Sequence, residues 1–457
     1  MSGIVASRAY LSRLVSYAPG HMARIRLEDP SRRGSWAEVA EGSLLVADFS
    51  GFTRLSEALG EMGRQGATVL ADILNRYFEM LIDDVGLRRG GELIGFGGDG
   101  FTLLFLEGDH ARNAVAAGLE IQEAMALCAE AETPLGTFPL ALRVGIATGP
   151  VFQALLGTGG GAEVVIGGPT VEAAVRLQQA CARGSVLISE RTRERAGEGL
   201  AARPCPGGDD RRLGFDAHVV EELEPLPPHG EPFDWRELLE QHLEEAGPIL
   251  EPFVDPGVLP LIQAAPEAPR IEATYAPATA LFMRVQGVPL HGGAEVLPTL
   301  VELTEALSAV LEPVGVPLRK TDVSEAGIKM ILIFGPPAGA ETHVLDAALT
   351  ASVIRTGLAP TRPRTAPFSG LEVRFGLATG SVWAGEVGSR RRREYSAIGD
   401  AVNLAARLAD RAEPWEILCT EEIARAADPY LQSEDRGPLA IRGKAREVPC
   451  HRILPPR

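Results

Sequence analysis

The chain has 457 residues, 45% apolar and 23% charged, an ordinary globular composition with length for two or three domains. A formal charge of −17 excludes a general nucleic-acid binder, because no basic face is left to neutralise phosphates. The one dense basic run, "SRRRRE" (389–394), reads as a local loop, and no apolar run reaches the ~18 residues of a membrane span.

The N-terminus, "MSGIVASRAYLSRLVSYAPG", lacks a long apolar core and a cleavage site. Ile4, Leu11, Leu14 and Val15 line one face of a short helix expected to pack on the body. Next, "SLLVADFSGFTR" (43–54) is a buried strand that runs into Asp48 and then into a turn-prone loop at Ser50 and Gly51. Backbone N–H groups leading into a helix N-terminus make such a loop a phosphate cradle. Residues 66–85 carry Val69, Leu70, Ile73, Leu74, Tyr77, Phe78, Leu81 and Ile82 at helical spacing. "GELIGFGGDGFTLLFL" (91–106) predicts a hairpin about Gly-Gly-Asp-Gly, and "LRVGIATGPVFQALLG" (142–157) a second, turning at Gly149-Pro150. This order of strands, helices and hairpins implies an α+β sandwich with helices covering one sheet.

A Pro- and Gly-rich stretch follows, holding one predicted helix (235–246) placed to brace two domains. Beyond it the pattern repeats. "RVGIATGPVFQALLG" (143–157) matches "RFGLATGSVWAGEVG" (374–388), and "IGGPTVEAAVRL" (166–177) matches "IGDAVNLAARL" (398–408). Arg143 and Arg374, like Arg176 and Arg407, stand 231 residues apart. The predicted organisation is an N-terminal helical segment (1–35), a first domain (36–215), a linker (216–271) and a second domain (272–457). The five cysteines, Cys128, Cys181, Cys205, Cys419 and Cys450, form no C-x-x-C pair, so buried free thiols in a reducing, cytoplasmic setting are expected.

Asp48 ends the first strand and Asp99 sits in the next hairpin turn, so a shared sheet edge would bring their carboxylates together. Two such groups repel unless a divalent cation joins them, and oxygen-only ligands suit Mg²⁺. Each also has a plain structural role: Asp-Gly is a common turn pair, and an Asp before a helix can cap it.

"ADFSGFT", "FGGDGF" and "REYSAIGDAVNLAARL" together resemble the class III nucleotidyl cyclases. The tandem arrangement most resembles the soluble, bicarbonate-responsive adenylyl cyclases, over most of the chain. The resemblance implies two pseudo-symmetric ferredoxin-like domains packed head to tail, pairing within one monomeric chain. It implies conversion of ATP to cyclic AMP and pyrophosphate, with two Mg²⁺ ions, or Mn²⁺ in their place, held by Asp48 and Asp99. It implies substrate contacts from Phe49, Ser50, Gly51 and Phe52, and a polyphosphate contact from Arg143. Lys320 and Ser396 would read adenine, Asn403 would orient the ribose, and Arg407 would stabilise the pentavalent phosphorus. Asn403 and Arg407, at i and i+4, share one helix face.

In the second repeat Arg284 falls where Asp48 sits and Ala326 about where Asp99 sits; in the first, Glu172 replaces Asn403 while Arg176 matches Arg407. One complete site and one degenerate, candidate regulatory pocket are therefore expected. In bicarbonate-responsive relatives an arginine at Arg176 and a lysine at the position of Gly95 hold the anion, so bicarbonate or another small anion is the implied ligand. Competing readings are a nucleotide- or anion-sensing module without chemistry, a cyclase with relaxed ATP/GTP choice, and a diguanylate cyclase. The last carries GGDEF where this chain reads GGDGF. There is no G-x-x-x-x-G-K-[ST] P-loop, so the chain either lacks that module of its relatives or is a fragment.

Overall fold

The computed structural model describes residues 7–29, 34–158, 161–205, 213–227, 230, 232–288, 296–311, 318–324, 327–337, 339, 341–358, 370–441 and 447–455. The chain opens with α1 (Arg8–Tyr17) and α2 (Gly20–Glu28). The first domain then runs β1 (Trp36–Ser50), α3 (Phe52–Gly60), α4 (Arg64–Phe78), β2 (Glu92–Gly97), β3 (Gly100–Phe105), α5 (His110–Leu127), β4 (Glu130–Thr133), β5 (Gly136–Pro139), β6 (Ala141–Thr158), β7 (Gly161–Gly167), α6 (Pro169–Ala180), β8 (Ser185–Ser189), α7 (Glu190–Ala196), β9 (Leu200–Pro204) and β10 (Ala217–Leu223). Short helices α8 (Trp235–Gln241), α9 (Ala246–Leu250) and α10 (Leu259–Ala264) fill the connection. The second domain runs β11 (Thr274–Gln286), α11 (Leu297–Leu311), β12 (Leu318–Ser324), β13 (Gly327–Phe334), α12 (His343–Leu358), β14 (Glu372–Gly388), β15 (Arg393–Ile398), α13 (Asp400–Arg411), β16 (Ile417–Thr420), α14 (Glu421–Ala427), β17 (Ser433–Leu439) and β18 (Val448–Ile453).

The two large sheets have one topology. The first is ordered β2-β3-β1-β6-β8-β10-β9 with β7 on β6, the second β12-β13-β11-β14-β16-β18-β17 with β15 on β14. The sequence repeat is thus a repeat of architecture, an α+β fold used twice. The first sheet takes in β10 and so extends past residue 215.

Alternation along β1 sorts its side chains. Leu45, Ala47 and Phe49 join the core under α4 and α5, while Leu44 and Val46 pack toward α6. The apolar face of α4 is buried as its spacing predicts, and the helix continues as a wider turn over Glu79–Gly86. The hairpin about Asp99 forms as expected. The one at Gly149-Pro150 does not: β6 is a single strand paired with β1 from Ala141 to Leu155, with Pro150 opposite Glu41. Pairing along all of β1 outweighs the local turn preference of Gly-Pro, and the proline, lacking an N–H, is accommodated within the strand.

The far halves of β6 and β14 are arms that cross to the other domain. Trp383 and Val387 of β14 lie in the first domain's core, and Phe152, Ala154 and Leu156 of β6 in the second's. The fully buried Trp383 donates its Nε1–H to the Ala67 carbonyl, 3.0 Å away. Asn75 Nδ2 donates to the Glu386 carbonyl at 3.3 Å while its Oδ1 accepts from the Gly388 N–H at 2.9 Å. This reciprocal exchange gives the head-to-tail pair.

Leu11, Leu14 and Val15 of α1 are buried as expected, whereas Ile4 lies outside the described residues. They share a core with Leu239, Ile249 and Leu250 of the connecting helices and with Leu404 and Leu408 of α13. The helix predicted over 235–246 is split, because α8 ends at Gln241 and α9 begins at Ala246. Cys181, Cys419 and Cys450 are buried thiols, but Cys128 is exposed at the end of α5. Among the described residues no helix is long and apolar enough to cross a membrane.

Candidate active site

Asp48 lies opposite Gly100 on β3 and Arg143 on β6. Its Oδ2 accepts from Arg143 Nη2 at 2.8 Å and from Gln178 Nε2 of α6 at 3.2 Å. The expected polyphosphate contact, Arg143, is therefore engaged with Asp48. The first-repeat helix also places Gln178 here, one turn beyond Ala174, which the sequence reading missed. Asp99 stands in the adjoining turn, where burial, and after it the charge of Asp48, pushes its carboxyl up to about 7. Burial raises the Asp48 carboxyl as well, against the pull of Arg143. Two adjoining carboxyls held above their ordinary range, with Asp48 Oδ1 free of the bonds on Oδ2, form a donor set that fits a hard divalent cation. Among the described residues no cluster of three or more His, Cys, Asp or Glu side chains adds to it.

The loop after Asp48 is held by glycine geometry. Gly51 has φ +102°, and a Cβ there would lie 2.5 Å from the Pro139 carbonyl. The N-cap residue of α3, Gly51, has no side chain to cap it, which leaves the helix's first N–H groups without an intrahelical partner. Phe52 lines the interdomain cavity. Phe49 does not share that role: it is 4% exposed and packs edge-on against Tyr77 and Phe78, leaving only its backbone to face a substrate.

That cavity has a volume of 1890 Å³ and runs along the domain interface. Asp99 reaches it from the first domain, and Lys320, Ser396, Asn403 and Arg407 from the second. Asn403 and Arg407 sit one turn apart on α13, and their side chains make no hydrogen bond or ion pair with the described residues. The helix itself is fixed by close approach, since a Cβ on Gly376 of β14 would lie 2.1 Å from the Ala405 carbonyl. Gly145 of β6 does the same for α6, 2.2 Å from the Gln178 nitrogen.

The pseudo-symmetric end differs as the sequence suggests. Arg284 pairs across β11–β14 with Arg374, as Asp48 does with Arg143, and is bonded to Asp410. Ala326 lies outside the described residues. Counted by strand register, Ile328 stands at the level of Asp99, since Phe334 opposite Thr279 matches Phe105 opposite Ser43. Neither position supplies a carboxylate. Glu172 and Arg176, where α13 carries Asn403 and Arg407, are bonded to each other. Gly95 lies 3.1 Å, measured from an added Cβ, from Glu394 and 3.8 Å from Lys320.

Known proteins share this architecture. The chain is 23% identical to adenylate cyclase type 10 of Homo sapiens over 433 residues, 89% of this chain and 25% of that protein. It is 28% identical to an adenylate cyclase of Mycobacterium tuberculosis over 183 residues, 39% of this chain and 40% of that one. The chain spans about a quarter of the length of the type 10 relatives it matches. A class III adenylyl cyclase-like ATP-binding protein from Pseudomonas aeruginosa superposes over 85% of both chains, with a TM-score of 0.55 and 14% identity, a likeness of fold. Residues 37–201 and 295–454 match the adenylate and guanylate cyclase catalytic domain, and the chain belongs to that family, with two copies of the domain.

Proposed function

We propose that the chain is an adenylyl cyclase that converts ATP to cyclic AMP and pyrophosphate at one composite site between its domains. The observation that carries this reading is the single cavity onto which Asp99 of one domain and Lys320, Ser396, Asn403 and Arg407 of the other all open.

Asp48 and Asp99 would hold two Mg²⁺ ions, or Mn²⁺ in their place. Bound there, such ions supply charge neutralisation for the polyphosphate and acidify the ribose 3′-hydroxyl. Arg143 and Gln178 fix the Asp48 carboxylate. The uncapped N–H groups of α3 receive phosphate oxygens beside Phe52. Lys320 donates to adenine N1, and the Ser396 hydroxyl bonds the exocyclic amine. Asn403 orients the ribose so that its 3′-oxygen lies in line with the α-phosphorus. Arg407, with no side-chain partner among the described residues, would meet charge as it develops there. Such chemistry is alignment and charge stabilisation, with no dedicated protein base.

The opposite end of the cavity is the proposed regulatory pocket, with Arg176 as its candidate anion ligand. Bicarbonate is the ligand to test, although Gly95 offers no second cation and Glu172 occupies Arg176. Cyclic AMP formation that does not change with bicarbonate at fixed pH removes that role.

The primary experiment measures product from ATP and from GTP with Mg²⁺ and with Mn²⁺, for the wild type and Asp99→Ala. Cyclic AMP made by the first and lost in the second supports the composite site. Absence of product despite measurable ATP binding replaces this reading with a nucleotide-sensing module.

A further inference from the structure

The N-terminal helices take no part in the chemistry proposed above, yet they touch both domains. Before the joint at Ala18-Pro19, Arg13 and Tyr17 of α1 hold Glu386 of β14, in the second domain. After it, α2 meets β2 and β6 of the first domain through His21. The His21 backbone N–H and the ring Nδ1 lie 2.7 and 2.5 Å from Glu92 Oε2, at the start of β2. The other ring nitrogen, Nε2, lies 2.7 Å from Oε1 of Gln153 on β6. His21 and Gln153 are both buried. Tyr17 and Pro19, beside the joint, line the interdomain cavity.

A neutral imidazole carries one N–H and one bare nitrogen. Here both nitrogens face acceptors, a carboxylate oxygen and an amide oxygen, so the imidazolium is the form that satisfies both. The same carboxylate closes the N-terminus of α2, where Pro19 offers no side-chain cap. This seat occurs once in the repeat, because Ala384 stands 231 residues from Gln153 on the other arm.

We infer that α1 and α2 form a strap across the two domains, with His21 as its pH-sensitive fastening: the strap is held while His21 is an imidazolium and loosens when that proton leaves. This goes beyond the catalytic reading and adds a control on how firmly the composite site is held. Burial works against the charge on His21, but the bond to Glu92 and its charge outweigh it, with help from Gln153 and Glu38, and the His21 pKa is raised. Burial likewise opposes the charge on Glu92, and the bonds and charge of His21 more than reverse it, so Glu92 is lowered. Glu38 faces the site from β1, opposite Gln153. Arg24, one turn on along α2, faces Glu92 and stands 3.9 Å from Glu107. The connecting segment brings the uncharged Trp235 beside Gly20. A pKa raised in the closed state means that the strap is firmest below the ordinary histidine value, about 6.5, and weakens as pH rises through the raised one. Met22, Ala23 and Leu27 stay buried by apolar packing that does not titrate, so the loosening is partial.

The test is amide hydrogen exchange over Gly20–Glu28 in the wild type, His21→Gln and Glu92→Gln, at pH 6 and at pH 8.5, with each variant compared to wild type at the same pH. At pH 6 both variants should exchange about tenfold or more faster than wild type, the scale of a hydrogen bond to a charged group. At pH 8.5 the His21→Gln ratio should approach one and the Glu92→Gln ratio should fall. The kcat/KM for ATP should be about threefold lower in both variants at pH 6 and recover toward wild type at pH 8.5. Ratios within one pH cancel the titration of Asp99, which all three proteins share. Glu92→Gln keeps the test open if His21→Gln does not fold. Exchange ratios equal at the two pH values would assign His21 to packing alone and overturn the proposal. Exchange that responds while the kcat/KM ratios stay flat overturns the hold of the strap on the site. If the wild type makes no cyclic nucleotide, the cyclase reading fails on its own, and exchange, which needs no turnover, still decides the strap.

Discussion

The Arg176 guanidinium is bonded to the Glu172 carboxylate one turn earlier on α6. At the same positions of α13, Asn403 and Arg407 have no such bond with the described residues and open onto the cavity. One arginine is neutralised within its own helix, while the other is available to a substrate. Arg407→Ala is therefore expected to lower kcat by about 10²–10³ with little change in KM, as for loss of a donor used at the transition state. Arg176→Ala should leave kcat within about threefold of wild type, the scale of a surface helix pair. Equal losses in the two variants, measured as cyclic AMP formed at saturating ATP, would contradict a single catalytic site.

Asp99 gives the fold a pH dependence. Its carboxyl is pushed up to about 7 by burial and by Asp48. The ordinary value in an unfolded chain is about 4. Between those values the folded state holds the extra proton, so its stability falls as pH rises through that window. In EDTA the wild type should melt a few degrees lower at pH 8 than at pH 6, by a larger margin than Asp99→Asn. Mn²⁺ should raise the melting temperature of the wild type more at pH 8 than at pH 6 and leave Asp99→Asn nearly unaffected. Scanning calorimetry at the two pH values checks this; equal slopes in the two proteins would rule out Asp99 as the source.

Much of this site is legible in the sequence, because its elements are local. The Gly-Gly-Asp-Gly turn and the Asn403–Arg407 spacing each lie within a short window, and the repeat is read by matching two such windows 231 residues apart. What was not legible depends on long-range pairing. Gly149-Pro150 reads as a turn until β1 is seen to run alongside it. Arg143 reads as a free cation until register puts it beside Asp48. Register against β11 puts Ile328 where register against β1 puts Asp99, which only strand pairing shows.

Close approach of α13 to β14 makes Gly376 a sensitive lever on the site. A Cβ there would lie 2.1 Å from the Ala405 carbonyl and 2.3 Å from the Ala409 nitrogen, both backbone atoms. The helix must move, and Asn403 and Arg407 move with it. Gly376→Ala should cost about 1–3 kcal/mol of stability and reduce kcat by more than its effect on folding alone explains. Gly357→Ala is the control of opposite sign. It lies in helix α12 with nothing within 4 Å of an added Cβ, so it should gain about 0.5–1 kcal/mol and leave kcat unchanged. Urea unfolding beside steady-state kinetics separates the two effects; a Gly376→Ala protein with wild-type kcat would mean that the helix position is not critical.

The N-terminal helix holds the arm that carries Ser396. Arg13 Nη2 lies 2.5 Å from Glu386 Oε1, and both side chains are at least nine-tenths buried. Tyr17 donates its hydroxyl to the same carboxylate, the Ile271 N–H donates to Glu386 Oε2 at 2.9 Å, and Arg393 stands 3.5 Å away. Glu386 is on β14 opposite Tyr395 of β15, the neighbour of Ser396. Removing one partner from a buried ion pair leaves the other charge without compensation, typically at a cost of about 3–5 kcal/mol. Arg13→Met should fall at the lower end of that range, because Arg393 remains beside Glu386. Tyr17→Phe, which removes one hydrogen bond to a charge, should cost about 1.5–3 kcal/mol. Because the cluster joins α1 to β14 and β15, the loss should appear in the same cooperative urea transition that reports the second domain. A separate early transition, with cyclic AMP formation retained after it, would show that α1 is an appendage rather than part of the catalytic arm.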